Sequence, residues 1–258
     1  MNDEYLSLCE INYKHRKKLE QMTPVSITTM TMIYDLNILV DIQALSTNYI
    51  MPEYPKCFIK NNTGARCKRS FYNQITISFR DHTTKSVKVF SNGRLQITGL
   101  TSMNECKSTT KIIFDILKKS DNVLKSDATY IFSRECVYIA MINTSFSYGM
   151  SLNILYLKNM LLESGIKADY DPDVYPGLKV KHPNGTNVFI FATGSVVMTR
   201  AKNIASLSES YKDITDMVIK EWKTLCTHEK SFIRPKKNTN IWYKDGYPIT
   251  QYLLAKKM

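Results

Sequence analysis

One hairpin is written twice in this chain. Residues 87–99 read VKVFSNGRLQITG and residues 188–200 read VFIFATGSVVMTR. Each is a strand ending in Phe, a three-residue turn closing on Gly, and a second strand ending near Thr. Phe90 matches Phe191, Gly93 matches Gly194 and Thr98 matches Thr199. A repeat about a hundred residues apart is too long for a solenoid unit of roughly 20–50 residues. It constrains the chain to a duplicated half-domain.

The elements around the two hairpins follow the same order. In the first half a β-rich stretch, VSITTMTMIYDL, precedes a helix candidate, ILVDIQALSTNY. The strand patterns NQITISF, SVKVF and RLQITG come next, and SMNECKSTTKIIFDILKK closes the half as a helix. Ser102 and Glu105 have capping-box spacing at its start. In the second half CVYIAMINTSF, LNILYLKNMLLES, LKVKH, VFIF and SVVMT repeat that order, followed by a long helix over 201–225. There Ile204, Leu207, Tyr211, Ile214, Val218, Trp222 and Leu225 fall at spacings of three and four, which makes one buried face. This implies an α+β protein with helices on one face of an antiparallel sheet. The expected organisation is a mobile basic arm over 1–23, a first repeat over 24–124, a second over 125–228 and a basic tail over 229–258.

Strand side chains alternate between faces. In the second hairpin Val188, Ile190, Val196 and Met198 suit the helices. The other face carries Phe189, Phe191, Val197 and Thr199 and is apolar too. A sheet with helices on one side is normally polar on the other. An apolar second face marks either a binding surface or a sheet covered on both sides.

The net charge of +12 points to nucleic acid or another polyanion as partner. The six Cys are scattered and form no CxxC, which favours a reduced intracellular compartment. Cys57 and Cys67 bracket a basic segment, but no second pair completes a tetrahedral set, so no metal site is expected. No apolar run reaches the length of a membrane span. His15, His82, His182 and His228 lack carboxylate or Cys partners at motif spacing and read as surface residues. No glycine-rich phosphate cradle occurs. An enzyme and a cofactor are not expected.

Several stretches resemble the TATA-box-binding protein family. YDPDVYPGL at 170–178 resembles that family's Y-E-P-E-L-F-P-G-L, and FATGSVVMTRAK at 191–202 resembles F-x-S-G-K-V-V-L-T-G-A-K. FSNGRLQITG at 90–99 is similar to the matching piece of the first repeat. The resemblance covers about residues 25–228 and is more specific in the second half. It implies a pseudo-twofold saddle, a curved antiparallel sheet with helices on its convex face and DNA on its underside. An apolar surface suits the minor groove of A·T pairs, which shows few distinguishing groups. Aromatic wedges between base steps kink the duplex, a mechanism of which this family is itself a type example.

Carried over residue by residue, the resemblance makes Tyr175 and Phe191 the second-repeat wedge pair and Phe71 and Phe90 the first. Phe58, in EYPKCF, is the alternative to Phe71. Phe189, Val197 and Thr199 take groove positions in the second repeat, and Lys88, Gln96 and Thr98 in the first. Asn143, or a neighbour one residue away, takes the place of the family's central Asn, with Thr29 nearest in the first copy. Arg94, Lys88, Lys179 and residues 61–70, which look like an insertion, are expected to meet phosphates. Asp171, Asp173 and Val174 sit where the family meets transcription factor IIB. The chain departs from the family in Tyr175 for Phe, in the polar Lys88 and Gln96, and in Arg200 for Gly. Such divergence resembles the TATA-box-binding-like proteins of large DNA viruses. The implied function is a minor-groove-binding initiation factor that bends A·T-rich double-stranded DNA and works with a IIB-like protein and RNA polymerase machinery. A protein-interaction platform of the same fold is the alternative. The implied location is the nucleus or, for a viral protein, the host nucleus, a cytoplasmic virus factory or the virion.

Overall fold

The computed structural model describes residues 2–47, 58–59, 73–80, 83–124 and 129–229. The chain forms two compact units, one of Thr29–Met141 and the other of Met1–Thr28 with Ile142–Met258. The boundaries fall inside two strands, β1 (Ser26–Asp35) and β6 (Val137–Ser147). The leader before each repeat's first strand therefore belongs with the helix that closes the other repeat.

The first unit contains α2 (Ile42–Thr47), β2 (Phe58–Ile59), β3 (Gln74–Arg80), β4 (Thr84–Phe90), β5 (Arg94–Leu100) and α3 (Met103–Lys119). Its strands run in the order β2-β3-β4-β5-β1. All of these pairings are antiparallel. Val87, Val89, Leu95 and Ile97 alternate inward and are fully buried, on the side where α3 packs against β5. Of the capping box predicted for α3 the Ser102 half forms, while the Glu105 side chain reaches back one residue further, to Thr101. Ser102 Oγ accepts from Glu105 N at 3.2 Å, and Glu105 Oε2 accepts from Thr101 N at 2.7 Å. Such a cap is worth ~1 kcal/mol.

The second unit repeats this plan. Its elements are β7 (Met150–Leu152), α4 (Ile154–Glu163), β8 (Lys167–Asp169), β9 (Gly177–Lys181), β10 (Asn187–Phe191), β11 (Ser195–Ala201), α5 (Ile204–Lys220), α6 (Trp222–Leu225) and β12 (Cys226–Glu229). The order is β6-β11-β10-β9-β8, again antiparallel, with β12 paired to β7 in a separate ribbon. The helix predicted over 201–225 is two helices, broken at Glu221. Ile204, Leu207, Tyr211, Ile214, Val218 and Leu225 are buried as its periodicity requires, but Trp222, just past the break, is half-exposed.

The duplication extends to backbone details. Gly93 and Gly194 close the two hairpins at φ +83° and +79°. A Cβ at either would lie 2.0 Å from a carbonyl oxygen, that of Ile38 or Met150, so the turn admits only Gly. A bulge follows in each second strand, at Gly99 and Arg200, which stand at φ +87° and +64°. Arg200 thus keeps the left-handed backbone of its glycine counterpart. Side chains cap all four matched helices. Asp41 accepts from Ala44 N, Ser102 from Glu105 N, Asn153 from Tyr156 N and Asn203 from Ser206 N.

Two expectations fail here. Residues within the presumed mobile arm form helix α1 (Asn2–Lys18), which packs on α5. Leu8, Asn12, His15 and Leu19 recur at helical spacing and are buried. The charge run KHRKK masks that stripe in the sequence. Nor are His15 and His182 surface residues. They are 5% and 6% exposed, and their Nε2 atoms meet Asp216 at 2.9 Å and Asp213 at 3.3 Å. Both carboxylates lie far off in sequence, on α5, beyond the reach of motif spacing.

Candidate nucleic-acid interface

The face of each sheet away from its helix can be read row by row, because cross-strand partners share a face. In the second unit one row runs Lys179–Phe189–Val197–Ser145 across β9, β10, β11 and β6. In the first the corresponding row is Thr76–Lys88–Gln96–Ile33 across β3, β4, β5 and β1. All eight residues are half-exposed, while the alternate residues of both hairpins, Val188, Ile190, Val196 and Met198 and their first-unit counterparts, are buried. The inward and outward sets are those the alternation predicts.

Three rings gather at one end of the second face. Tyr175 meets Phe189 edge-on at 5.6 Å and Phe191 at 6.0 Å between centroids. Lys179 Nζ lies 5.2 Å from the Tyr175 ring centre, a cation–π contact. Phe191 pairs with Gly177 across the strands. A Cβ on Gly177 would come within 2.8 Å of the Tyr175 ring and 3.0 Å of the Phe191 ring. Gly177 therefore leaves room for the two rings to converge. The sequence reading did not single it out, although it stands in the quoted PGL.

In the first unit Phe90 is half-exposed and pairs with Gln74 instead of a glycine. Phe71 lies outside the described residues, as do residues 61–70. Counted along the chain, the residue two before Gln74, as Tyr175 is two before Gly177, is Tyr72. Thr98 donates its hydroxyl to the Ser86 carbonyl at 3.2 Å. Arg94 is exposed, and its Nε donates to Asp35 Oδ2 at 3.2 Å. That ion pair lies largely in water and is worth little.

Asn143 lies on the open side of β6, two residues from Ser145. Its Oδ1 is buried without a hydrogen-bond partner among the described residues. In the first unit Thr31 is the register partner of Thr98, and it stands as far before Asn37 as Asn143 stands before Gly149. Thr31, not Thr29, is thus the first-copy counterpart of Asn143. The loop before β9 is tied by its own backbone: Asp171 O accepts from Tyr175 N at 2.8 Å, and Asp171 Oδ1 accepts from Asp173 N at 3.2 Å. Asp171 and Asp173 are exposed there, and Val174 is 74% exposed.

The family model of transcription factor TFIID, or TATA-binding protein, matches residues 137–220. A TATA-box-binding protein-like protein of Acanthamoeba polyphaga mimivirus is 25% identical over 87% of this chain and 73% of its own length. These matches support a divergent TBP-like chain, similar to the TATA-box-binding protein family. The archaeal TATA-box-binding protein of Picrophilus torridus is 28% identical over 45% of this chain, and the match spans 59% of that protein. The solved structure of the Methanococcus jannaschii TBP superposes with a TM-score of 0.54 at 18% identity. It covers 76% of this chain and 98% of that one, and the likeness shows the two-repeat fold. Members of the family are DNA-binding transcription factors without enzymatic activity, and a general role in transcription follows for this one. The family match falls on the second repeat, where the resemblance in sequence is also the more specific. Among the described residues no group of three or more His, Cys, Asp or Glu is placed to hold a metal ion.

Proposed function

We propose that this TBP-like chain binds A·T-rich double-stranded DNA in the minor groove, bends it, and serves transcription initiation. The observation that carries the reading is the half-exposed ring cluster of Tyr175, Phe189 and Phe191, with Val197 and Thr199 beside it on one face. Three large rings left partly in water on a sheet face are costly unless something covers them. The A·T minor groove offers sugars, ring edges and few donors, which such a face complements. In this reading the rings at the end of the face enter a base step, which unstacks and bends the duplex. The overall charge of +12 supplies attraction to phosphates, with Lys88, Arg94 and Lys179 nearest the face.

Asp171, Asp173 and Val174 form the docking patch for a basic IIB-like partner in this reading, two carboxylates beside an exposed apolar side chain. Reversing both charges removes recruitment of a IIB-like protein and spares DNA binding. The four described cysteines Cys9, Cys106, Cys136 and Cys226 are free. Burial pushes the Cys106 thiol up to about 12, which keeps it protonated. This supports work in a reducing compartment, the nucleus or a virus factory.

The test is equilibrium binding of an A·T-rich and a G·C-rich duplex across a salt series. The A·T-rich duplex binds more tightly, and affinity falls steeply with salt. Equal affinity for the two duplexes, or indifference to salt, overturns the reading.

A further inference from the structure

The two faces differ most where the rows cross their middle strands. Phe189 sits opposite Val197 in the second unit, and Lys88 sits opposite Gln96 in the first. Opposed side chains on neighbouring strands leave the sheet about 5 Å apart. An ammonium group and a carboxamide therefore stand side by side where the other copy has a ring and an isopropyl group. Neither the Lys88 nor the Gln96 side chain makes a hydrogen bond or ion pair among the described residues, and both residues are half-exposed.

These groups are chemically complementary to one kind of base pair. In the minor groove an A·T pair shows only acceptors, adenine N3 and thymine O2. A G·C pair shows acceptors and one donor, the guanine N2 amino group. Gln96 carries a carbonyl oxygen that can only accept and an amide that can only donate. Against A·T its carbonyl oxygen meets acceptors and is left unpaired. Against G·C that oxygen accepts from guanine N2, while the amide and Lys88 donate to guanine N3 and cytosine O2. Val197 can do none of this, and a guanine amino group pressed against it stays unsatisfied.

We propose that Gln96, assisted by Lys88, is a specificity-determining residue that reads a G·C pair in the half of the DNA site contacted by the first repeat. The inference rests on the minor-groove reading above. The target is accordingly lopsided: A·T pairs under the second repeat and a G·C pair at one step under the first. A target of that kind also fixes the direction in which the protein sits on the duplex.

The experiment scans an A·T-rich duplex one step at a time, replacing A·T with G·C and then with inosine·C. Inosine lacks only the N2 amino group, so inosine·C presents an A·T-like minor-groove edge. At one step G·C binds at least as tightly as A·T, and inosine weakens binding there about tenfold. Gln96→Val removes that preference, and Val197→Gln creates a second G·C-preferring step in the other half. The inosine comparison uses the unaltered protein, so it stands even if a variant folds poorly. A·T preferred at every step, or inosine·C bound as well as G·C throughout, overturns the inference and leaves minor-groove binding intact. Failure to bind any duplex of the series overturns the function itself, and the inference with it.

Discussion

The backbones of the two hairpins match while their outer faces do not. Both turns close on a left-handed glycine, both second strands bulge at the same step, and both inner faces are fully buried and aliphatic. On the outer face the second hairpin presents Phe189, Phe191, Val197 and Thr199, and the first presents Lys88, Phe90, Gln96 and Thr98. The cation moves as well, from the outermost position of the second row at Lys179 to one strand further in at Lys88. Positions that set chain direction cannot vary without a clash, as the 2.0 Å approach at Gly93 and Gly194 shows. Positions that face outward are free to take up separate tasks. At these positions the second face is mostly apolar, and the first carries polar groups that must keep water or find partners.

The largest difference is expected at the two phenylalanines. Phe191→Ala lowers DNA affinity about 30-fold, the ~2 kcal/mol of an aromatic hot spot. Phe90→Ala lowers it only severalfold, because among the described residues no ring packs against its side chain. Both are half-exposed, so melting temperatures stay close to that of the unaltered protein. Equal binding losses break the comparison, and matching large drops in melting make both rings core residues instead. A smaller effect follows from Gly177→Ala, which pushes Tyr175 and Phe191 apart and costs about fivefold in affinity. Gln74→Ala, at the matching place in the first copy, is near neutral. Unequal effects in the reverse order contradict the assigned ring seat.

Stability sharpens the contrast further. Arg200→Gly removes a left-handed non-glycine residue and raises stability by ~1 kcal/mol, read from chemical denaturation. Gly99→Arg acts in the opposite direction. The smallest effect is one of pH and belongs to one unit. Burial outweighs the pull of Asp216 and holds His15 below its usual pKa, with Lys18 and Lys212 adding to the depression. The unfolded chain takes up this proton near pH 6.5 and the folded chain resists it. Stability is therefore full above about pH 6.5 and declines as pH falls below it. The cover on α3 is instead Tyr130, whose hydroxyl meets Thr110 at 2.6 Å and whose pKa burial raises. It does not titrate in that window. His15→Gln flattens the slope between pH 5 and 6.5, a range taken from the histidine reference value of about 6.5, and a slope that survives the change assigns it elsewhere.

Much of the fold was legible because duplication doubles every signal. Gly93 and Gly194 confirmed each other's turn, and Ser102 with Glu105 marked a helix start that the structure keeps. The alternation of the second hairpin sorted buried from half-exposed residues without error at the eight positions read. Short elements were not legible. The three-residue strands β7 and β8 carry too few side chains for a period to show, and β12 is defined by its pairing with β7 alone. Helix α1 was hidden because its inward stripe includes Asn12 and His15. These polar residues are buried only because Tyr211 and Asp216 answer them from α5. All three rings of the cluster were named, Phe189 by strand alternation and Tyr175 and Phe191 through their resemblance to known motifs. The need for Gly177 arises from cross-strand register, which no linear reading contains.

The central claim is that these faces bend DNA, and energy transfer between dyes at the two ends of a short A·T-rich duplex tests it most directly. At saturating protein the ends draw together and transfer rises, and the rise is lost in Phe191→Ala before it is lost in Phe90→Ala. Transfer that stays at the value of the free duplex while the protein is demonstrably bound contradicts the account.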